Sequence, residues 1–135
     1  PVGERMVLEE NSFIEFNLPN TVLRPLTDEE MNEYRRPFAE PGEARRPTLS
    51  WPRQLPIGGD PADVTEIVTT FGNWLSQSSV PKLCIRATPG TKLPKQYERY
   101  RTWPHLREVS VRGHHTPQED SPEEIGQALA SWLPR

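Results

Sequence analysis

The sequence has one cysteine among its 135 residues and no long hydrophobic run. A single cysteine cannot form a disulfide within the chain, and because Cys84 lies in an apolar stretch, we expect a buried, inert thiol. No segment approaches the roughly 18 apolar residues that span a bilayer, and residues 1–5 are not followed by the apolar core of a signal peptide. These absences predict a cytoplasmic protein, in a reducing compartment, without a membrane segment.

The sequence also lacks a net positive charge, which bears on possible partners. The 16 Lys and Arg residues are outnumbered by 19 Asp and Glu residues, so the formal net charge is −3. Proteins that bind nucleic acid usually carry a basic patch or stripe. Here the arginines alternate with acidic residues, which is typical of a solvated surface, so we expect no nucleic-acid partner.

The hydrophobic content is low for a chain of this length. Only 33% of the residues are hydrophobic, and 16 prolines separate the apolar segments from one another. A domain of this size must bury a large apolar area to offset the entropy lost on folding. The composition therefore fits either a loop-rich domain or a part of a larger one.

The first half of the sequence predicts short helices. Apolar residues within 5–17 indicate one or two helices that stop at Pro19. Thr27 and Glu30 match a capping box at the start of a further helix. Residues 39–60 contain four prolines and three glycines, so they predict a long irregular connection.

A longer amphipathic helix follows this connection. Asp60 as the N-cap and Pro61 at the first helical position predict its start. Its apolar residues recur with the helical period and form one stripe. The stripe consists of Val64, Ile67, Val68, Phe71, Trp74 and Leu75.

The last part of the sequence alternates predicted strands and helices. Residues 82–87 predict a strand, 94–103 a helix and 107–111 a second strand. Ser121 and Glu124 then match a capping box at the start of a closing helix. A strand, helix and strand in this order predict a βαβ unit, whose two strands are parallel.

Two parallel strands are too few for a stable sheet of this kind. Parallel strands occur almost only in sheets that are covered on both faces. No other stretch of the sequence is a convincing strand. We therefore expect the sheet to be completed by residues that are not in this sequence.

Two neighbouring histidines follow the second predicted strand. His114, His115 and Thr116 occupy the carboxyl end of the strand, which is where open α/β sheets place their chemistry. Such a histidine is a candidate base, although a loop histidine without a function fits the same position. His105 precedes the strand and lies at the opposite end, so we expect it to be structural.

The groups that a catalytic histidine requires are missing from the sequence. No G-x-S-x-G nucleophile elbow is present, and residues 87–92, after the first strand, contain no acid. Glu119 and Asp120 lead into the closing helix, so we expect them mainly to favour its positive end. A metal site at the histidine pair is a weak hypothesis, because no matching Cys or His pair exists elsewhere.

At these residues the sequence resembles a known family. The segments GEARRPTLSWPRQLPIGG (42–59), VPKLCIRATPG (80–90) and GHHTPQEDSPEEIGQALASWL (113–133) are similar to the haloalkane dehalogenases, and LRPLTDEEMNEYRRPF (23–38) matches their cap region. The likeness is closest to the subgroup that includes hexachlorocyclohexane-degrading enzymes, which is related to Renilla-type luciferases. The resemblance covers essentially the whole chain.

The resemblance implies an α/β fold class, the C-terminal part of an α/β-hydrolase. A helical cap region and its return helix would occupy 1–78, and two parallel strands alternating with helices would form the core part at 79–135. The nucleophilic Asp, the halide-binding residues and the orienting acid would lie in an N-terminal half, on the same or a separate chain. The implied substrate is a small halogenated hydrocarbon that releases halide, without a cofactor or a metal.

The family pattern Gly-x-His-x-x-Gln-Glu-Asp selects His115 as the base that activates water, and it leaves His114 at a variable position. The implied substrate-pocket and tunnel positions are Phe13, Thr21, Trp51, Pro52, Thr91, Lys92 and Thr116. Lys92 and Thr116 depart from the more apolar residues that are usual there. For Phe13 and Trp51, packing within the cap explains the aromatic side chains equally well.

Other functions remain open at this point. A luciferase-like monooxygenase on the same fold would have a similar loop at 42–53. Epoxide hydrolysis ranks lower, because it calls for tyrosine donors in the cap and Tyr34 is the only tyrosine in that region. A third alternative is an inactive fragment that acts as a binding module, which would have to fold cooperatively by itself.

Overall fold

The computed structural model describes residues 2–91 and 98–134. By their contacts, the residues divide into two units, Pro1–Glu66 and Ile67–Arg135. The first unit is built from short helical segments, and the second contains the sheet. No helix in the described ranges is long and apolar enough to cross a membrane.

The described part of the first unit contains three complete α-helices, connected by short π-helical and 3₁₀ turns. The α-helices are α1 (Val2–Leu8), α2 (Asp28–Arg35) and α3 (Arg46–Arg53). A π-helical turn (Phe13–Asn17) and 3₁₀ turns (Leu18–Thr21, Arg36–Phe38 and Gly42–Arg45) lie between them. The apolar core of this unit consists of Leu8, Ile14, Met31 and Leu49.

Pro19 does not stop the helical segment that precedes it, contrary to the prediction. It lies in the first turn of the 3₁₀ segment Leu18–Thr21. A proline is tolerated there because the first N–H groups of a helical segment have no intrahelical partner. The chain therefore changes from a π-helical to a 3₁₀ turn rather than leaving the helical conformation.

The predicted capping box at the start of α2 is confirmed. The Glu30 N–H donates to Thr27 Oγ1 at 3.2 Å, and Glu30 Oε2 accepts from the Thr27 N–H at 2.8 Å. Arg24 also donates to both carboxylate oxygens of Glu30, at 2.8 and 2.6 Å. These contacts, with Arg24 contributing most, lower the pKa of Glu30 to about 2.

The irregular connection predicted for residues 39–60 is wrong over its middle part, because α3 lies there. Pro47 occupies the first turn of α3, where a missing N–H costs nothing. Arg45, the residue immediately before α3, is 8% exposed and anchors this segment. Its guanidinium donates to the carbonyls of Phe38, Ala39, Leu8 and Glu9 at 2.7–3.1 Å. A proline-rich segment is therefore ordered by one buried cation.

Besides the helical residues 98–100, the described part of the second unit holds a two-stranded parallel sheet and three helices. They are α4 (Ala62–Gln77, which begins in the first unit), β1 (Lys82–Pro89), β2 (Leu106–Gly113), α5 (Pro117–Asp120) and α6 (Pro122–Trp132). Residues 98–100, within the helix predicted at 94–103, are helical, whereas 94–97 lie outside the described residues.

The two strands pair in parallel, as predicted. The register runs from Lys82 opposite Leu106 to Pro89 opposite Gly113. The start of β1 is held by the buried Lys82 ammonium, which donates to the carbonyls of Ser78, Val80 and Pro104 at 2.8–3.0 Å. The ladder thus brings the carboxyl ends of β1 and β2 side by side.

The predicted apolar stripe of α4 is present, but much of it faces solvent. Ile67 is 66% exposed, Phe71 58% and Trp74 52%. The rings of Phe71 and Trp74 are stacked, with centroids 5.8 Å apart. Large apolar side chains at this exposure, on one face of one helix, form a surface that another protein segment would bury.

Replacement of Arg45 should destabilise the first unit. In Arg45→Ala four carbonyls lose a charged donor. Two of them, those of Leu8 and Glu9, lie about 36 residues earlier in the chain. We therefore expect the free energy of unfolding to fall by about 3 kcal/mol. Chemical denaturation followed by circular dichroism measures the change. Arg53→Ala, at the exposed end of α3, is the control. Equal stability of the two variants would contradict the role assigned to Arg45.

Candidate functional site

His114 and His115 lie at the carboxyl end of β2, as the sequence predicted. They form a bend between β2, which ends at Gly113, and α5, which begins at Pro117. The side chain of His115 is exposed, and that of His114 is half-buried. Within the described part of the chain, the His115 imidazole has no hydrogen-bond partner. None of the described side chains therefore engages it.

Gly113 permits α5 to lie directly against the end of β2. A Cβ atom at Gly113 would be 2.8 Å from the Cβ and 3.0 Å from the Cα of Pro117. These distances are shorter than carbon atoms tolerate, so a side chain here would push α5 away from the strand. The glycine of the family pattern is therefore required at this position for steric reasons.

The carboxyl ends of the two strands are joined beyond the regular ladder. The Gly90 N–H donates to the Gly113 carbonyl at 2.9 Å. Gly90 has a positive φ of 63°, and a Cβ there would lie 2.6 Å from the Ala87 carbonyl oxygen, so glycine is required. This contact brings the residue after Gly90, the predicted pocket residue Thr91, to the same edge of the sheet as the histidines.

The segment that follows the histidines holds the strand end through two side chains. Asp120 Oδ2 accepts from the His114 N–H at 2.9 Å. Ser121 Oγ donates to the Arg112 carbonyl at 2.7 Å, and Ser121 is 3% exposed. The capping box predicted from Ser121 and Glu124 is therefore wrong, because the Ser121 hydroxyl makes no cap bond to α6. Sequence reasoning missed both contacts, although Asp120 belongs to the family pattern quoted above.

Thr116 precedes α5 and is half-buried, so it lies beside His115 on the same bend. Lys92, the other predicted position with an unusual polar residue, lies outside the described residues. In the second unit the structure therefore places three predicted site residues, Thr91, His115 and Thr116, at one edge of the sheet.

The predicted pocket residues of the first unit include an aromatic pair. The rings of Phe13 and Trp51 meet edge to face, with centroids 6.1 Å apart and an interplanar angle of 86°. Trp51 is nevertheless 61% exposed, which leaves most of its indole uncovered. Pro52 follows it inside α3 and is half-buried. The Thr21 hydroxyl donates to the Leu18 carbonyl at 2.7 Å.

The His114 side chain has an unsatisfied nitrogen. Its Nδ1 atom is buried and has no hydrogen-bond partner, a condition shared in the described residues only by Asn11 Oδ1. A buried polar atom without a partner is costly. His114 thus differs from His115, whose imidazole is open to solvent.

The carboxylate of Glu108, in the middle of β2, is bound by two arginines. Glu108 accepts from Arg86 at 3.1 Å and from Arg101 at 3.3 Å. The Arg101 guanidinium, followed by Arg86, holds the pKa of Glu108 below its usual value. Glu108 is therefore an ion-pair partner within the sheet rather than an orienting acid for His115.

No group of three or more His, Cys, Asp or Glu side chains in the described ranges is arranged to hold a metal ion. The lone Cys84 is half-buried within β1 rather than fully buried as expected. The candidate catalytic group among these residues is therefore the His115 imidazole, at the edge of the sheet.

Comparison with known proteins identifies relatives, although no family model matches the sequence. The chain is 53% identical over 135 residues to a haloalkane dehalogenase from Mycolicibacterium smegmatis, covering 98% of this chain and 43% of that protein. It is 43% identical over 136 residues to coelenterazine h 2-monooxygenase from Renilla reniformis, with the same two coverages.

A solved structure gives the same result. The crystal structure of haloalkane dehalogenase DbeA from Bradyrhizobium elkani is similar with a TM-score of 0.89 and 44% identity, over 97% of this chain and 46% of that one. The chain thus spans less than half the length of the relatives that it matches. The predicted resemblance and fold class are confirmed: the chain is similar to the haloalkane dehalogenases and matches the C-terminal part of their α/β-hydrolase fold.

Proposed function

We propose that the chain supplies the cap region and the catalytic histidine of a haloalkane dehalogenase. The reaction converts a halogenated hydrocarbon and water to an alcohol, a halide ion and a proton. The observation that carries this proposal is the position of His115, exposed on a bend at the carboxyl end of β2. Haloalkane dehalogenase relatives at this level of identity support it.

The first step uses a nucleophile that another part of the protein provides. An aspartate side chain is already ionised at neutral pH, so its oxygen attacks the carbon without first losing a proton. A carbon–oxygen bond forms, the carbon–halogen bond breaks, and the halide leaves with the bonding electron pair. The product is an alkyl ester of the aspartate, and this step requires nothing of His115.

His115 acts in the second step. Its neutral imidazole takes a proton from a water molecule, and the resulting hydroxide equivalent attacks the carbonyl carbon of the ester. The ester bond breaks, the alcohol leaves, and the aspartate carboxylate is restored. The imidazolium then returns its proton to solvent.

The missing groups would come from an N-terminal half of the fold, on the same or a separate chain. Two features of the second unit favour this partner. The two-stranded sheet of the described residues leaves one edge of each strand unpaired, and parallel strands occur almost only in sheets that are covered on both faces. A groove of about 430 Å³ also opens beside α4, lined by Ile67, Val68, Phe71, Leu75, Tyr100 and Trp103.

The cap and core assignments follow from the same proposal. The cap region with its return helix would occupy 1–78, and the core part 79–135. Phe13, Trp51, Pro52 and Thr21 would line the substrate pocket or its entrance from the cap. Thr91, Lys92 and Thr116 would do so from the core. We also propose a cytoplasmic location, on the basis of the single cysteine.

A luciferase-like monooxygenase is the second candidate. The observation that favours it is the 43% identity to the Renilla reniformis enzyme, over the same part of the chain. An inactive fragment that acts as a binding module is the third, and it requires a sharp, cooperative thermal transition of the chain by itself.

The direct test joins this chain, at its N-terminus, to the N-terminal part of the Mycolicibacterium smegmatis dehalogenase that the match leaves uncovered. We call this product the completed protein. With a bromoalkane as substrate, we expect bromide to be released over many turnovers. With coelenterazine, we expect no light. Light without bromide release would instead favour the monooxygenase, and a completed, folded protein without either activity would contradict both enzymatic candidates.

Substitution of His115 separates the two chemical steps. In the completed protein, His115→Ala should release about one bromide per active site and then stop, because the ester forms but is not hydrolysed. Intact mass spectrometry should show the protein enlarged by the alkyl group. His105→Ala, at the opposite end of β2, should keep multiple turnover. Continued turnover by His115→Ala would rule out His115 as the base.

The role of Trp51 can be tested separately from folding. Because most of the indole is solvent-exposed in this chain, Trp51→Ala should change thermal stability little. If the side chain contacts substrate, the variant should raise KM about 5- to 30-fold, by the loss of roughly 1–2 kcal/mol of apolar contact. Phe16→Ala removes another exposed aromatic side chain of the same unit and serves as the control. An unchanged KM in Trp51→Ala would assign Trp51 to cap packing.

A further inference from the structure

Three successive backbone groups that lead to His115 are each held by a contact outside the regular strand ladder. Ser121 Oγ donates to the Arg112 carbonyl at 2.7 Å. The Gly113 carbonyl accepts from the Gly90 N–H at 2.9 Å. The His114 N–H donates to Asp120 Oδ2 at 2.9 Å. The backbone is therefore fixed up to the residue immediately before His115.

Among these contacts, the one made by Asp120 has a charged acceptor. Hydrogen bonds to an ionised carboxylate are about twice as strong as those between neutral groups. The helix that carries Asp120 can lie this close because Gly113 has no side chain: a Cβ at Gly113 would be 2.8 Å from the Cβ of Pro117, the first residue of α5. The contact joins the first residue of the bend to the last residue of α5, and it is partly buried.

The exposed imidazole of His115 gains no orientation from hydrogen bonds within the described part of the chain. Its direction depends on the backbone conformation of the bend. On the basis of the proposed function of His115 as the base, we propose that Asp120 is a positioning residue for it. Asp120 acts by accepting the His114 N–H, which fixes the peptide group that leads into His115.

A different role for the Asp120 charge is the one that the sequence suggested, stabilisation of the positive end of α6. That role does not require the contact with His114. Glu123 and Glu124 also place negative charge in the first turn of α6, so the loss of one of them imitates the electrostatic effect alone. The substitution Asp120→Asn also removes a charge, but it acts at the contact itself and keeps an oxygen that can accept the His114 N–H.

The kinetic test uses Asp120→Ala, Asp120→Asn and, as the control, Glu123→Ala in the completed protein. Halide release and ester hydrolysis are measured separately by rapid mixing with a bromoalkane. In Asp120→Ala the first halide should leave at the parent rate, whereas ester hydrolysis should slow by about 10- to 100-fold, because a misplaced base loses its alignment. Asp120→Asn should recover most of this loss, and Glu123→Ala should match the parent.

Two kinetic results would overturn the proposal. One is ester hydrolysis at the parent rate in Asp120→Ala. The other is equal slowing in Asp120→Asn and Asp120→Ala, which would assign the effect to charge rather than to the accepted hydrogen bond. A general loss of folding would slow both chemical steps, so a selective loss of ester hydrolysis is not explained by instability.

A spectroscopic test reads the contact without catalysis. Joining the ¹⁵N-histidine-labelled chain to the unlabelled N-terminal part of the completed protein gives one backbone amide signal for each of the 3 histidines of this chain. The His114 amide should exchange slowly with solvent, and its proton shift should follow the protonation of a carboxylate as the pH is lowered. Asp120→Asn should abolish this pH response, and Glu123→Ala should retain it.

A His114 amide that exchanges as fast in the parent chain as in Asp120→Ala would overturn the contact itself. If the completed protein released no halide, the proposed function would fail instead, while the amide signal would still decide whether Asp120 holds the bend. The two failures are therefore distinguishable.

Discussion

The parallel pairing of β1 with β2 is the constraint on which the described site depends. Because the ladder keeps Pro89 opposite Gly113, the two segments that leave the strands begin side by side. The histidine bend follows one strand and Thr91 follows the other. The same pairing leaves one edge of β1 without a partner in the described residues, and α4 keeps an apolar face in solvent. The site and the unpaired strand edge are thus two consequences of one arrangement.

Much of the fold could be predicted from local patterns. The helical period located α4, the alternation of apolar residues located β2, and the Thr27–Glu30 pair located the start of α2. These features depend on residues that are close in sequence. The confirmed likeness to the haloalkane dehalogenases then supplied the fold class, which two strands alone could not define.

The features that were missed depend on long-range contacts. Helix α3 lies in a segment rich in proline, and Arg45 anchors it to carbonyls of residues 8 and 9. The Ser121 hydroxyl is used by the Arg112 carbonyl rather than by α6. No pattern in the sequence reveals which carbonyl a buried arginine or serine will reach. The contact of Asp120 with the His114 amide was overlooked for the same reason, because a carboxylate before a helix also has a purely local explanation.

The similarity to both a dehalogenase and a luciferase shows how far a scaffold constrains function. A fold can host different reactions, and the chemistry is set by the particular groups in the site. In this chain the proposed base is present and the proposed nucleophile is not. The most direct test is bromide release from a bromoalkane by this chain alone, purified free of other proteins. We expect no bromide above the uncatalysed rate, whereas sustained catalytic release would show that the chain needs no nucleophile from another part of the protein.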